Sequence, residues 1–243
     1  MSGGLLGHDG CALWMVMIPF TAEQFLDVFA RYNVAVWPAQ IVLYAFALSA
    51  IGLALQRSSD FSRSIACLLS VLWLWSGIVY HLIFFSRVNG AAYIFGGLFI
   101  FQSCLFIYAG VWKRNLLFGF SRTSYEIIGM LFFIYALLIY PVLSYKFGHR
   151  YPMAPTFGVP CPATIFTFGM FLWTRRNVPL YLMVIPLLWS LIGLSAALSM
   201  GMKEDFGLVV AGVTSFLLIA RRNRSARAST WLVSPASQSA PGM

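Results

Sequence analysis

Apolar runs recur along almost the whole chain, at residues 34–55, 65–85, 91–112, 125–145, 157–174, 178–202 and 206–220. A helix rises 1.5 Å per residue, so about 20 such residues match a hydrocarbon core roughly 30 Å thick. The fifth and seventh runs are the shortest. Composition agrees with a bilayer as solvent: 60% of the 243 residues are hydrophobic and 9% are charged, against about 25% charged in soluble domains. The expected fold class is an all-α integral membrane protein, a bundle of about seven transmembrane helices. The short linkers make consecutive helices antiparallel.

The net charge of +9 could point to nucleic acid, but its distribution points elsewhere. Every second linker is basic: Arg57 and Arg63; Lys113, Arg114 and Arg122; Arg175 and Arg176; Arg221, Arg222, Arg224 and Arg227. The intervening linkers hold only Arg31, Arg87, Lys146, Arg150 and Lys203, and also take Glu23, Asp27, Glu204 and Asp205. Basic loops stay in the cytoplasm, so the N-terminus is expected outside and the C-terminus inside.

Before the first run, PFTAEQFLDVFARYN has Thr21 and Gln24 at capping-box spacing, with Phe25, Phe29 and Tyr32 on one helical face. This predicts an amphipathic helix at the outer interface, ending at Trp37-Pro38. Residues 1–16 are expected to be a disordered extension, 17–220 one transmembrane domain, and 221–243 a disordered basic tail that meets anionic lipid. Cys11, Cys67, Cys104 and Cys161 form no CxxC pair, so no disulfide framework is expected. The last run has no lysine for a retinal, and no HExxH, serine–histidine or paired-aspartate protease pattern is visible.

The unusual polar residues gather on the outer side. His81 sits near the outer end of the second run, where an ionisable group needs a partner or a cavity. His149 and Tyr151 lie in the outer loop GHRYPMAPTFGVPCPATIFTFG, and Cys161 stands between Pro160 and Pro162 at the start of the fifth run. Prolines suit a first helical turn, and they also occur where broken transporter helices line a site. A Cys-Pro step further suits a soft metal. Glu204 and Asp205 precede the seventh run, where carboxylates complement a helix dipole. Gln102 lies in the middle of the third run, where an amide bonds across helices or lines a polar path. The candidate binding residues are therefore His81, His149, Cys161, Asp205, Tyr80, Tyr140, Tyr151 and Gln102. The candidate metal ligands are His81, His149, Cys161 and Glu204, with zinc or copper as the ion.

The segments PFTAEQFLDVFARYNVAVWPAQ, WSGIVYHLIFFSRVNGAAYIFG, GHRYPMAPTFGVPCPATIFTFG and IPLLWSLIG resemble a bacterial family of multi-span membrane proteins known only as a domain of unknown function. The resemblance runs from Ile18 to about Gly212. It implies a single-domain protein of the bacterial inner membrane and supplies no activity. The leading functional expectation is a small transporter or channel-like protein with a periplasm-facing polar or metal-type site. The alternatives are a membrane-embedded enzyme using an outer His, Cys and carboxylate site, or a non-catalytic sensor or assembly partner. The lipid bilayer is the expected partner, and nucleic acid is not.

Overall fold

The computed structural model describes residues 19–232, with side chains through residue 226. The expected extension 1–16, with Cys11, and residues 233–243 of the tail lie outside the described residues. Helix α1 (Ala22–Val36) starts where the capping box predicted: Gln24 N–H donates to the Thr21 hydroxyl at 3.2 Å, and Thr21 N–H donates to the Gln24 side chain at 2.9 Å. Its inner face buries Val28, Phe29, Tyr32, Asn33 and Val36, while the Asp27–Arg31 pair faces outward. Pro38 disfavours helical backbone at Trp37, and the chain turns there by 89° into α2 (Ala39–Leu55).

The long elements that follow are α3 (Ser59–Arg87), α4 (Ala92–Trp112), α5 (Ser124–Lys146) and α7 (Tyr181–Ser199). These four are long and apolar enough to cross a membrane, or five with the bent α1–α2 pair taken as one span. Helix α8 (Phe206–Leu232) continues through the stretch expected to be a disordered tail as far as Leu232. Among the described residues there are only isolated β-bridges, Phe118 with Thr174 and Phe157 with Val159.

The 157–174 run, read from the sequence as a span, yields only α6 (Pro160–Leu172), 13 residues long. At 1.5 Å per residue it measures about 20 Å, shorter than the roughly 30 Å hydrocarbon core. All of its residues except Cys161 are buried, so it lies at the centre of the bundle. Two glycines bring α5 and α6 together: a Cβ on Gly169 would sit 2.8 Å from the Gly129 carbonyl oxygen, and the reverse holds for Gly129. Trp73 on α3 donates its indole N–H to Thr167 at 2.9 Å. Trp173, just past α6, donates to the Glu126 carbonyl at 2.7 Å.

Hydrogen bonds between loops collect at the two ends of α3. Where α3 begins, Phe118 N–H donates to Ser62 at 3.0 Å and Arg175 N–H to the Leu117 carbonyl at 2.7 Å. Arg222 donates there to the Thr174 hydroxyl at 2.7 Å and carbonyl at 3.0 Å. Where α3 finishes, Asn33 ties α1 to the proline-rich loop. Its amide donates to the Pro152 and Ala154 carbonyls at 2.6 and 2.7 Å, and its oxygen accepts from Gln40 and Thr156 at 2.7 and 2.8 Å. Gly158, at φ +106°, closes that loop; a Cβ there would lie 2.3 Å from Leu43. Its carbonyl accepts from Ser76 at 3.1 Å.

Three helices contain π-helical turns: Ser76–Phe84 in α3, Ile107–Trp112 in α4 and Tyr135–Ile139 in α5. A π-turn adds a residue to the turn and re-aims the side chains beyond it. Two of these turns carry Tyr80, His81 and Tyr135.

Candidate functional site

A cavity of about 270 Å³ lies at the end where α3 finishes. Helix α1 covers it with Phe25 and Phe29, joined by Phe20 just before the helix. Tyr80 and Phe85 of α3, Phe95 of α4 and Trp189 of α7 form further walls. These rings pack edge-on and stacked: Phe20–Phe85 at 5.5 Å, Phe25–Phe29 at 4.9 Å, Phe29–Tyr80 at 5.7 Å and Phe95–Trp189 at 5.5 Å. The remaining lining is mostly small or apolar, including Ile192, Gly193 and Ala196 of α7. Gly193 also lets α8 approach, since a Cβ there would stand 2.6 Å from Leu208.

The polar residues reaching the cavity include Cys161 in the first turn of α6 and Asp205 in a short 3₁₀ turn, Lys203–Asp205, before α8. Tyr140 donates its hydroxyl to Asp205 Oδ1 at 2.6 Å, and the Cys161 thiol lies beside the same carboxyl. The Trp189 indole N–H approaches the Cys161 sulfur without hydrogen-bond geometry. Asp205 is 2% exposed. Burial pushes its carboxyl up to about 7, and the neighbouring Glu204 adds to this; the Tyr140 hydrogen bond and the adjacent Cys161 thiol pull the other way and do not offset it.

Glu204 turns away from its neighbour. Its Oε1 lies 3.2 Å from His149 Nδ1, its Oε2 is buried without a partner, and its backbone carbonyl accepts from Tyr135 at 2.7 Å. This pair joins the α5–α6 loop to the α7–α8 connection but stands apart from the cavity lining.

His81 is fully buried, yet neither ring nitrogen has a partner. It sits among aromatic rings, with Phe99 at 4.8 Å, Trp189 at 5.0 Å and Tyr80 at 5.2 Å. It stands behind the cavity wall rather than in it. Among the described residues no group of three or more His, Cys, Asp or Glu side chains could hold a metal ion. The expected ligand set of His81, His149, Cys161 and Glu204 therefore does not assemble. The physical reason is that His81 is enclosed by aromatic rings while Glu204 holds His149 apart from the cavity lining.

Of the other expected binding residues, Tyr80 lines the cavity and Tyr140 supports Asp205 from behind. Tyr151 is exposed at the surface. Gln102 is buried and donates to the Leu182 carbonyl at 3.0 Å, an α4–α7 tie with no part in the cavity. Reading the sequence missed Trp189 and the role of Asn33. Trp189 offered only its residue type, whereas Phe25 and Phe29 already carried a signal in their helical spacing.

Residues 22–230 match the model of a family of unknown function, DUF6064, and the chain belongs to that family. No curated protein and no solved structure matches it.

Proposed function

We propose that this member of the DUF6064 family is an integral membrane protein that binds a small, apolar-bodied molecule in a one-ended cavity. The cavity itself carries the reading: an aromatic-walled space of about 270 Å³, close to the lower size of ligand sites, with a few converging polar groups at one side. Four or five helices suit a membrane by length and composition. The loops alternate between the two ends of α3, which supports seven traverses with α6 enclosed by the rest. The eleven basic residues near the start of α3 support a cytoplasmic placement for that end, and a bacterial inner membrane is the setting this orientation fits. The cavity then opens on the periplasmic side.

Binding is favoured over conduction, because Gln102 is buried, bonded to the Leu182 carbonyl, and is not among the residues that line the cavity. A carboxyl titrating near 7 also suits a general acid. Chemical conversion of a bound molecule would move the reading to a membrane-embedded enzyme.

Saturation-transfer NMR with benzyl alcohol, on the full chain in nanodiscs, tests the cavity. Transfer should be seen for the native protein and lost in Ala196→Trp, which fills the space; equal transfer in both would refute the reading. Cysteines introduced at Arg114 and Arg150 test orientation in whole cells. Only the one at 150 should react with a membrane-impermeant maleimide.

A further inference from the structure

The charge inventory of the cavity is one-sided. Asp205 contributes a carboxyl, and among the described residues no lysine or arginine lines the space. The three basic residues nearest the lining in sequence are engaged elsewhere: Arg31 pairs with Asp27 at 2.7 Å, Arg87 lies 5.7 Å over the Phe84 ring and Lys203 lies 5.5 Å over the Phe147 ring. Among the described residues Asp205 has no ion pair; the salt bridges are Asp27–Arg31, Asp60–Arg63 and His149–Glu204. Of the other polar lining groups, the Asn89 side-chain oxygen accepts from the Ala91 N–H at 3.0 Å and the Ser195 hydroxyl donates to the Ile192 carbonyl at 2.6 Å, while the Trp189 indole N–H is buried without a hydrogen-bond partner. What remains is a buried carboxyl with no ion-pair partner among the described residues, in a space walled by aromatic rings. Aromatic faces attract cations, and a buried anion gains from an opposite charge.

Resting on the reading that this cavity is a ligand site, we infer that it takes a small lipophilic ammonium ion, its charge met by Asp205 and its body held by the aromatic walls. An anionic ligand would meet the carboxylate with no compensating cation. A neutral one would leave Asp205 as it is. The cation instead supplies the missing counter-ion, so its binding displaces the proton that Asp205 carries when the cavity is empty.

The groups facing Asp205 are Tyr80 from α3, Tyr135 and Tyr140 from α5, Cys161 from α6 and Glu204 from its own turn, with His149 behind Glu204. With the carboxyl poised at about 7, its ionised fraction rises about tenfold between pH 6 and pH 8. Cation affinity should rise by the same factor.

Equilibrium dialysis of the full chain in nanodiscs tests this with benzyltrimethylammonium, its uncharged isostere neopentylbenzene, and phenylacetate. The expected result is that the cation binds at least tenfold more tightly than either other probe at pH 8, and about tenfold more tightly at pH 8 than at pH 6. His149→Gln should leave that pH gain intact. Asp205→Asn should lose the cation while keeping the neutral isostere, and Trp189→Leu should weaken the cation more than the isostere. If neopentylbenzene binds as well as the cation in the native protein, the ammonium assignment is wrong while the cavity remains a ligand site. If no probe binds and benzyl alcohol transfer is absent too, both readings fail. The native protein's own pH and probe comparisons decide the matter even where a variant does not fold.

Discussion

Replacing Asp205 by asparagine should make the protein more stable at neutral and alkaline pH, although it removes a native side chain. Asparagine is isosteric, and its oxygen still accepts from Tyr140, which donates to Asp205 Oδ1 at 2.6 Å. It also removes the cost of ionising a buried acid. The carboxyl titrates near 3.8 in the unfolded chain and near 7 in the folded one, because burial disfavours its charged form. Between those values the folded state holds a proton that the unfolded state has released. Native stability therefore falls as pH rises through this window and is level above it. Each unit is worth about 1.4 kcal/mol, so the loss across the window is about 4 kcal/mol. Asp205→Asn should match the native protein below pH 4, where both side chains are neutral, and exceed it by about that amount at pH 8. Steric trapping in bicelles, run from pH 4 to pH 8, gives the difference curve directly; other titrating groups cancel in it. A native-minus-variant difference that does not change with pH would refute the burial argument for Asp205. A variant less stable than the native protein at pH 8 would show that the carboxylate has a counter-ion in the folded state.

Gly169→Ala places a methyl group 2.8 Å from the Gly129 carbonyl oxygen and against the Phe133 ring, so it should cost about 1–3 kcal/mol; unchanged SDS-titration midpoints would contradict the close α5–α6 packing. Arg222→Ala removes donors to the Thr174 hydroxyl and carbonyl and should cost about 1–3 kcal/mol in the same assay. Arg222→Lys should recover only part of this, because an ammonium cannot reproduce the forked geometry. His81→Phe keeps a ring among Phe99, Trp189 and Tyr80 while removing two buried nitrogens without partners, so stability should rise by about 1–2 kcal/mol. Cavity binding should persist in that variant, and its loss would make His81 part of the site.

Local signals located several elements well. Thr21 and Gln24 marked the start of α1 because a capping box is complete within four residues, and Pro38 marked its end because a proline constrains the residue before it. The apolar runs located α2 to α5 and α7, since a run of apolar residues is a property of each segment separately. The site was legible only in part. Glu204 and Asp205 looked alike as adjacent acids before a helix. In a 3₁₀ turn successive side chains point about 120° apart, and this sends Asp205 to the cavity and Glu204 to His149. His81 looked like a ligand because a buried histidine normally needs a partner, and the ring cluster around it forms only when α3, α4 and α7 meet.

Sequence alone determined that most of this chain is apolar helix, where its amphipathic first helix lies and which linkers are basic. Those properties depend on composition and on spacing within a turn or two. Tertiary structure decided that α6 is enclosed, that the proline-rich loop is anchored on Asn33, and that Cys161, Tyr140 and Asp205 meet beneath a wall of rings. Those depend on contacts between residues far apart in the chain, such as the 65 positions separating Tyr140 from Asp205. Hydropathy has no means of recording which helix faces pair, because these helices are apolar on most of their faces.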